Sequence, residues 1–542
     1  MKHPLDSWRV SRRELLVAGA STIATLPTTL HAQSIAGQPA HAFGIVFEDQ
    51  RGDAQRCAGD RGIPSVLVSN GRDIVATDAD GRWVLDVAPG QHVFVIKPPH
   101  WSSPNLHGNV PSFSYLHQAA NGPVEIDFPL RATPEPIEFD VALVADTQPS
   151  SLTEVGYLRQ ALLAPLARER VAFAINHGDV VGDDLALFGD YRELIGTTPY
   201  PWHHCPGNHD MDSASPDGAH AFETWKRVFG PPHYAFQAGA ATFIVLNTVV
   251  YAGYPRPRPG MPAYRGWIGE RQLTFVANLL RRVPADHLIV VSMHIPLASY
   301  EDPDSASDRV GDRAALLAML SRRRHTVSFG GHLHTTEHHY FGTAFGFRRD
   351  RPHHHHVLTA ACGAWWTGAL DPSGVPLADS RDGSPKGFHI LSIDGNQYET
   401  RFVAADPAQM RVLITAPDAI GSGTAACGRI LSSPLSRSAV RNAQIVVDVF
   451  DGGPNTRVHL EIAGLRARDV ELQRAMIPDP YIVETYADPA TPRPSWLKPC
   501  PSSHMWAAAL PDGLPPGQHV LTVRVTGEFG REHVSHTNFT IT

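Results

Sequence analysis

The chain has 542 residues, a length that predicts roughly three or four domains instead of a single core. Its composition, 42% hydrophobic and 18% charged, is that of an ordinary globular protein. The formal net charge of -8 argues against a general nucleic-acid binder, because such proteins carry a basic surface. A small anionic substrate stays compatible, because a bound metal ion can dominate the charge of a site.

The N-terminal segment, residues 1–33, predicts a signal peptide. Ser11-Arg-Arg-Glu-Leu-Leu16 precedes a mildly apolar stretch that ends near His31-Ala32-Gln33, and it resembles a twin-arginine signal. The stretch is too short and too rich in Thr, Ser and Gly to span a bilayer, and no second apolar run approaches that length. We therefore expect a protein that is exported folded, to the periplasm or outside the cell, and that has no membrane span.

Residues 34–133 show short β-type runs separated by turn signals. Asn70-Gly71 and Asp80-Gly81 lie between such runs, which is the chemistry of β-hairpins. This region resembles the small prealbumin-like β-sandwich modules found beside many exported enzymes. No cluster of catalytic residue types appears in it.

Residues 137–404 change to strands that alternate with helical segments. The run "TEVGYLRQALLAPLARER" has helical spacing and lies between the apolar strands "DVALVAD" and "VAFAINHGD". This alternation predicts an α/β core. From 408 to 542 the pattern returns to β-type runs such as "GQHVLTVRVTG", and we expect a second β-sandwich there.

The five cysteines do not indicate a metal or redox motif. They stand at positions 57, 205, 362, 427 and 500, without a CxxC pair. Cys427 and Cys500 are able to pair in an oxidising compartment, and the sequence leaves that open.

Polar side chains follow successive predicted strands at the points where the strands end. Open α/β sheets place their ligand sites there. Gly178, Gly207 and Gly331 allow tight turns that bring such side chains together. The side chains concerned are Asp146, Gln148, Asp179, Asn208, His209, Asp210, His294, His332 and His334.

The ordered series D-x-Q, GD, GNHD, H and GHxH resembles the calcineurin-like metallophosphoesterases, whose first motif is usually D-x-H. The resemblance covers the middle half of the chain. The whole layout looks like the exported subgroup with an N-terminal β-module and a C-terminal β-domain. It implies a four-layer α/β/β/α sandwich flanked by two β-sandwich domains.

The resemblance also implies two divalent metal ions, Mn, Mg, Fe or Zn. Asp179 would bridge the two ions, and a bridging hydroxide would attack the phosphorus atom directly. Because only two of the implied ligands are anionic, the pair of ions keeps an excess positive charge that attracts phosphate. The first ion would be held by Asp146, Gln148 and His334, and the second by Asn208, His294 and His332.

Gln148 departs from the family pattern, which usually has His at this position. An amide oxygen is a harder donor than an imidazole nitrogen. We therefore expect Mn or Mg to be favoured at the Gln148 site.

The resemblance gives His209 a catalytic role, with Asp210 orienting it. His209 would protonate the leaving oxygen or stabilise charge in the transition state. Trp365 and Trp366, in "CGAWWTG", either stack against the leaving group or seal the core, and the sequence does not separate these two roles.

Several further polar residues lie near these motifs in the sequence. Asp183 and Asp184 either support the ligands or lie in solvent. Lys386 is expected to be exposed instead of near phosphate. His353 to His356 are expected to form a loop and not a metal-binding tract. His177, His203 and His204 are expected to surround the ligands without binding metal.

These patterns predict a metal-dependent phosphoric ester hydrolase that acts on a small phosphate ester, with a phosphodiesterase favoured. The alternatives are a phosphomonoesterase acting on nucleotides or head groups, and a catalytically weak protein that binds the cell envelope. No nucleic-acid scaffold is expected as a partner. The sequence leaves the substrate and the oligomeric state open.

Overall fold

The computed structural model describes residues 40–118, 123–258, 261–404, 406–416, 428–463, 470–491, 493–511 and 513–542. The expected signal peptide, residues 1–33, lies outside the described residues, and so does Cys427. Within the described ranges, no helix is long and apolar enough to cross a membrane.

The N-terminal region consists of short strands. They are β1 Ala40–Glu48, β2 Leu67–Ser69, β3 Ile74–Ala76, β4 Arg82–Val87, β5 His92–Ile96, β6 Trp101–Ser102, β7 Asn105–Leu106, β8 Val110–Pro111, β9 Ser114–Leu116, β10 Val124–Glu125 and β11 Phe128–Ala132. Two larger sheets share a core: one has the order β10-β1-β11-β6 with β4 paired to β1, and the other has the order β3-β2-β5-β9, while β7 and β8 pair with each other. Alternate residues of β4 (Trp83, Leu85 and Val87) point inward, as expected for a strand with one solvent-exposed face.

The middle region alternates strands and helices. Its elements are β12 Glu138–Val144, α1 Leu152–Leu158, α2 Ala164–Leu166, β13 Phe173–Asn176, α3 Phe188–Ile195, β14 Trp202–His204, α4 Glu223–Val228, β15 Tyr234–Ala238, β16 Ala241–Val245, β17 Val249–Arg258, β18 Met261–Gly266, α5 Glu270–Leu280, β19 Leu288–Ser292, α6 Arg313–Leu320, β20 Thr326–Gly330, β21 Glu337–Phe341, β22 His353–Val357, β23 Gly387–Asp394 and β24 Gln397–Ala404. A π-helical turn at Arg159–Leu163 joins α1 to α2, and 3₁₀ turns occur at Leu185–Leu187 and Thr343–Phe345.

Two mixed sheets form the centre of this region. The first has the order β14-β13-β12-β23-β24, with β12, β13 and β14 parallel. The second has the order β15-β16-β19-β20-β22-β21, with β16, β19, β20 and β22 parallel. Parallel strands of this kind are buried on both faces, which explains their continuous apolar runs.

The residues of β12 show how the layers are arranged. Val141 and Leu143 belong to the apolar cluster that contains the second sheet, whereas Ala142 and Val144 belong to the cluster that contains α1 and α3. Helices α5 and α6 contribute to the cluster of the second sheet. The two sheets therefore pack against each other with helices outside, which confirms the expected α/β/β/α sandwich.

His353 to His356 form strand β22, so the expectation of a loop is wrong. All four imidazoles are buried. The Nε2 of His353 and the Nδ1 of His355 both lie 2.8 Å from the hydroxyl oxygen of Ser328. Burial lowers the pKa of His353 to about 3, and a neutral imidazole with a hydroxyl partner is tolerated inside a sheet.

The C-terminal region forms two further sheets, β25-β26-β30-β29 and β28-β27-β31-β32. Val458, Leu460 and Ile462 alternate inward along β27, and they share a core with Trp506. A β-rich C-terminal region is thus confirmed. Its elements are β25 Met410–Thr415, α7 Arg437–Val440, β26 Gln444–Val449, β27 Arg457–Ile462, β28 Val470–Glu471, β29 Gln473–Pro478, α8 Pro480–Ala487, β30 Pro501–Ala509, β31 Gly517–Thr526 and β32 Glu532–Ile541.

Candidate metal centre

The polar side chains singled out in the sequence converge at the carboxyl ends of strands from both central sheets. Strands β12, β13 and β14 supply one side, and β19 and β20 supply the other. Five of the expected ligands have a left-handed backbone, which costs a residue other than glycine about 1–3 kcal/mol. These five are Asp146, Gln148, Asp179, His332 and His334. Strain concentrated at one group of turns is characteristic of a functional site.

Asp179 lies at the middle of the group. Its Oδ1 is 3.2 Å from the Nε2 of His294, and its Oδ2 accepts a hydrogen bond of 2.7 Å from the Nε2 of Gln148. One ligand atom from each of Asp179, His294 and His332 lies within 4.8 Å of the others. A carboxylate in this position is able to contact two neighbouring cations.

Two imidazoles are oriented with one nitrogen directed into the site. The Nδ1 of His294 donates to the backbone carbonyl of His177 over 2.8 Å, and the Nδ1 of His334 donates to that of Gly363 over 2.6 Å. A carbonyl oxygen only accepts, so Nδ1 carries the proton when the ring is neutral and Nε2 keeps its lone pair. Within the described part of the chain, the Nε2 of His334 has no hydrogen-bond partner, and it lies 3.7 Å from Asp146 Oδ1.

The remaining expected ligands join this network through Asp146 and His294. The backbone N–H of His332 donates to both carboxylate oxygens of Asp146, and the Oδ1 of Asn208 lies 3.0 Å from the Nε2 of His294. All seven expected ligands are therefore brought together. The set of carboxylate, amide and imidazole donors suits divalent cations, and the unpartnered nitrogen of His334 fits a role as a ligand.

The acids in this site are almost completely buried. Burial raises the pKa of Asp146, an effect that the nearby His294 partly offsets and the Asp179 charge reinforces. Burial acts in the same direction on Asp179, but the charges of His294 and His209 outweigh it and lower its pKa. Buried carboxylates that lie close together are stabilised by positive charge. A bound metal ion would supply that charge.

Gln148 makes a different contact from that of a ligand. Its Nε2 faces Asp179, and its Oε1 accepts a hydrogen bond from the Sγ of Cys362 over 3.4 Å. Ligation through Oε1 therefore requires a half-turn of the amide group.

Asp183 contacts the ring of His209, and this contact corrects the expectation for Asp210. The Nδ1 of His209 lies 2.7 Å from Asp183 Oδ1. Asp210 is fully buried instead and accepts backbone N–H bonds from Gly207, Val180 and Val181. Asp210 thus holds together the two loops that carry Asp179 and Asn208.

Two neighbouring carboxylates favour the protonated form of His209. Burial lowers the pKa of its imidazole, but Asp179 and Asp183 outweigh this effect and raise the pKa to about 9. Its side chain is 19% exposed, and its Nε2 lies 3.9 Å from Asp179 Oδ2. The ring of His209 is thus partly accessible to solvent beside the expected metal ligands.

The two tryptophans have different environments. Trp366 is buried, and its Nε1 donates to the carbonyl of Thr147 over 3.0 Å, so it seals the core. Trp365 is half-buried and stacks on His334, with ring centroids 3.8 Å apart. Trp365 also packs edge-to-face with Trp496 of the C-terminal region, with ring centroids 4.9 Å apart.

Two residues at the site carried no sequence signal. Asp308 Oδ1 lies 3.7 Å from the Nε2 of His332. The ring of Tyr264 packs edge-to-face with the same imidazole, and the two ring centroids are 5.9 Å apart. Both come from segments without a motif, between β16 and α6. Only the fold brings them beside His332.

Four other expectations have clear outcomes. Lys386 is buried, not exposed, because its ammonium group donates to the carbonyls of Pro376 and Leu377. His177 supports His294 through its backbone, as described above. His203 and His204 lie in the aromatic core, against Phe236 and Phe229. Asp184 is exposed and caps a 3₁₀ turn through the N–H of Ala186.

Three family models match the chain. The model for calcineurin-like phosphoesterase matches residues 139–336. The model for the N terminal of calcineurin-like phosphoesterase matches residues 49–133, and the model for its C terminal matches residues 355–533. A search of curated proteins finds no match.

Solved structures with similarity to the chain include a purple acid phosphatase, PPD1, from yellow lupin (Lupinus luteus) seeds. It is 12% identical with a TM-score of 0.37, over 63% of this chain and 67% of its own. The soluble domain of PmoD from Methylocystis sp. ATCC 49242 is 14% identical with a TM-score of 0.13, over 24% of this chain and 90% of its own. The extracellular domain of the hybrid two component system BT3049 from B. thetaiotaomicron is 10% identical with a TM-score of 0.15, over 34% of this chain and 20% of its own. TM-scores this low support no functional comparison.

Proposed function

From the premise that the chain belongs to the calcineurin-like phosphoesterases, we propose that it hydrolyses a small phosphodiester at a centre of two divalent metal ions. The observation that carries this proposal is the position of Asp179. Its two carboxylate oxygens contact groups from both central sheets, Gln148 on one side and His294 on the other.

The residues divide into two ligand groups around Asp179. Asp146, Gln148 and His334 would hold one ion, and Asn208, His294 and His332 would hold the other. When bound, such a pair of cations activates water as a nucleophile near neutral pH and stabilises charge on the phosphoryl oxygens. The buried positions of these ligands keep bulk water away from the reacting group.

His209 supplies the proton in this proposal. Its pKa of about 9 keeps the imidazolium form at neutral pH, and Asp183 holds Nδ1 so that Nε2 is the nitrogen available to a substrate. Transfer of that proton to the departing ester oxygen converts a poor alkoxide leaving group into an alcohol.

An aromatic rim supports the preference for a diester. Trp365 and Tyr264, both half-buried, each lie against a metal-ligating imidazole. Their rings offer an apolar surface to the second ester substituent of a diester. A phosphomonoester lacks that substituent, so it would leave this surface unused.

We also propose that the protein is exported folded to the periplasm or outside the cell. The support is the pairing of Arg12 and Arg13 ahead of a short apolar stretch. A double change to lysine should retain the full-length precursor in the cytoplasm. Processing and export equal to wild type would contradict this proposal.

A panel of phosphoesters tests the proposed activity. Metal-free protein is re-supplied with Mn, Mg, Fe or Zn and assayed with bis(p-nitrophenyl) phosphate and p-nitrophenyl phosphate. We expect the diester to be the better substrate. Faster hydrolysis of the monoester favours the monoesterase, and no hydrolysis at full metal occupancy favours an envelope-binding protein.

The variant Asp179→Asn tests whether the centre holds two ions. One neutral amide cannot shield two cations, so this variant should lose nearly all activity and metal at both positions. Asp184→Asn is the matched control, because Asp184 is an exposed carboxylate five residues further on. Normal turnover and metal content in Asp179→Asn would rule out the two-metal centre.

A further inference from the structure

A second group of metal-binding residue types lies away from the proposed centre. The Nε2 atoms of His338, His356 and His389 lie 3.1, 3.2 and 3.1 Å from one oxygen, the Oδ1 of Asp451. The side chains of the three histidines are 0% exposed, and that of Asp451 is 18% exposed. Ligand atoms of His338, His356 and Asp451 all lie within 4.8 Å of one another.

These four residues come from three separate sheets. His338 and His356 are paired neighbours on β21 and β22 of the second central sheet. His389 lies on β23 of the first central sheet, and Asp451 follows β26 of the C-terminal region. The group therefore lies where both layers of the phosphoesterase sandwich meet the C-terminal region.

Hydrogen bonding alone does not account for this arrangement. A single carboxylate oxygen has two lone pairs, and three ring nitrogens face it. The Nε2 of His356 is among the described buried atoms without a hydrogen-bond partner, although it lies only 3.2 Å from the oxygen. The Nε2 atoms of His338 and His389 are within hydrogen-bonding geometry of this oxygen and account for both of its lone pairs. The buried nitrogen of His356 is therefore left for a different partner, such as a cation.

The spacing of three of these residues fits a shared ion. Zinc bonds of about 2.0–2.2 Å to nitrogen and oxygen place two ligand atoms about 3.3 Å apart at tetrahedral angles. The distances from the Nε2 atoms of His338 and His356 to the oxygen of Asp451, 3.1 and 3.2 Å, are close to that value. His389 faces the same oxygen but lies outside the group whose ligand atoms are all within 4.8 Å of one another.

Supporting contacts around the group also resemble those of metal sites. The Nδ1 of His338 is 2.9 Å from the Nε2 of His354, whose Nδ1 is in turn 2.9 Å from the hydroxyl of Tyr398. Such contacts fix the tautomer and orientation of a ligating ring. Asp451 also lines an open cavity of about 240 Å³ with Glu528 and His533, which gives an ion a route from solvent.

We propose that His338, His356 and Asp451 bind a zinc ion that fastens the C-terminal region to the second central sheet of the phosphoesterase domain. His389 holds the carboxylate of Asp451 in place by a hydrogen bond, and a water molecule would complete the coordination of the ion. Since the ligands come from two regions of the chain, the ion stabilises the arrangement in which these regions are docked.

Zinc content of the full-length chain tests this site. The Asp179→Asn variant is the parent, so that the proposed centre contributes little metal. After chelation and re-supply with Zn²⁺, adding His356→Gln or Asp451→Asn should remove one zinc equivalent per chain and most of the zinc-dependent rise in melting temperature. His354→Gln should lower zinc affinity about 10–100-fold.

His339→Gln is the matched control, because it lies next to His338 on β21 but bonds Glu337 instead. It should keep the zinc equivalent. Crystals of the wild-type protein grown with zinc provide a test that needs no variant, through anomalous scattering between His338, His356 and Asp451. Unchanged zinc content in His356→Gln and Asp451→Asn, or zinc scattering only at the Asp179 centre, overturns the proposal. The result is independent of activity, so it stands apart from the proposed function.

Discussion

The Nδ1 of His209 lies 2.7 Å from the Oδ1 of Asp183. Asp183 stands 26 residues before His209 and has a left-handed backbone with φ of 74°. The neighbour of His209 in the GNHD motif, Asp210, supports the backbone of the same turn instead. Orientation of the ring and stability of the turn are therefore the work of two different acids.

The first prediction concerns the protonated form of His209. His209→Ala should keep both metal ions but slow turnover about 10²–10⁴-fold, most severely for esters with poor leaving groups. Metal analysis and the dependence of turnover on leaving-group pKa check this. A loss that is equal for all leaving groups and accompanied by metal loss would make His209 a structural residue.

The second prediction uses Asp183 to shift the pH profile. The Asp183 charge contributes to the raised pKa of His209, so Asp183→Asn should lower that pKa from about 9. Activity that needs the imidazolium form should then be lost at a lower pH than in wild type. The alkaline limb of the turnover profile measures the shift, with Asp184→Asn as the control. Coincident profiles would contradict the role of Asp183.

A third prediction concerns Gln148. Wild-type protein should hold its first ion loosely and respond strongly to added Mn, because an amide oxygen is a neutral, hard donor. Gln148→His should raise the affinity for Zn or Fe at that position, as shown by metal titration of activity. If Gln148→Ala titrates like wild type, Gln148 is not a ligand and only donates its hydrogen bond to Asp179.

The fourth prediction tests the close packing around Asp179. A Cβ atom at Gly207 would lie 2.1 Å from both the backbone nitrogen and the Oδ1 of Asp179. Gly207→Ala should therefore displace Asp179 and lower metal content and activity together. Gly189→Ala in α3 is the control, because no atom of the described residues outside that helix lies within 4 Å of the added Cβ, and alanine should stabilise the helix by about 0.5–1 kcal/mol. Full metal content in Gly207→Ala would contradict this prediction, because it would mean that the loops of Asp179 and Gly207 move apart without loss of metal binding.

A fifth prediction concerns the buried ion pairs between the phosphoesterase domain and the C-terminal region. The Nε2 of His504 lies 2.9 Å from Asp382 Oδ2, and its Nδ1 lies 2.6 Å from Asp448 Oδ1. Burial lowers the pKa of His504, but the two carboxylates outweigh it and raise the pKa to about 10. Because the folded pKa exceeds the unfolded value, the stabilisation is complete below about pH 6.5 and is lost as pH rises toward 10.

Urea unfolding over a pH series measures that effect. His504→Gln should lower the free energy of unfolding by about 3–5 kcal/mol at neutral pH, since it leaves buried carboxylates without their cation. The difference between variant and wild type should shrink from pH 7 to pH 10. The exposed His536→Gln is the control. A difference that stays constant with pH would mean that His504 is neutral in the folded protein.

Much of the architecture and of the metal centre follows from local patterns in the sequence. The strand β12 ends at Val144, just before Asp146, β13 ends before Asp179, and β19 ends before His294, and each of these boundaries is visible as an apolar run that stops at a polar group. Because parallel strands present their carboxyl ends at one edge, this ordering alone predicts that these side chains converge. The same patterns predicted β-rich regions on both sides of the domain.

The partners of these residues were decided only by the tertiary structure. Asp183 and Asp308 reach the site from loops, and Tyr264 reaches it from strand β18, so their positions depend on how distant segments pack. His353 to His356 were predicted to form a loop, yet they form a buried strand in which Ser328 on the neighbouring strand gives His353 and His355 a hydroxyl partner. A sequence shows which groups a segment carries, but hydrogen-bond partners, burial and the resulting pKa depend on segments far away in the chain. The convergence of His338, His356 and His389 on Asp451 likewise depends on segments that are far apart in the chain.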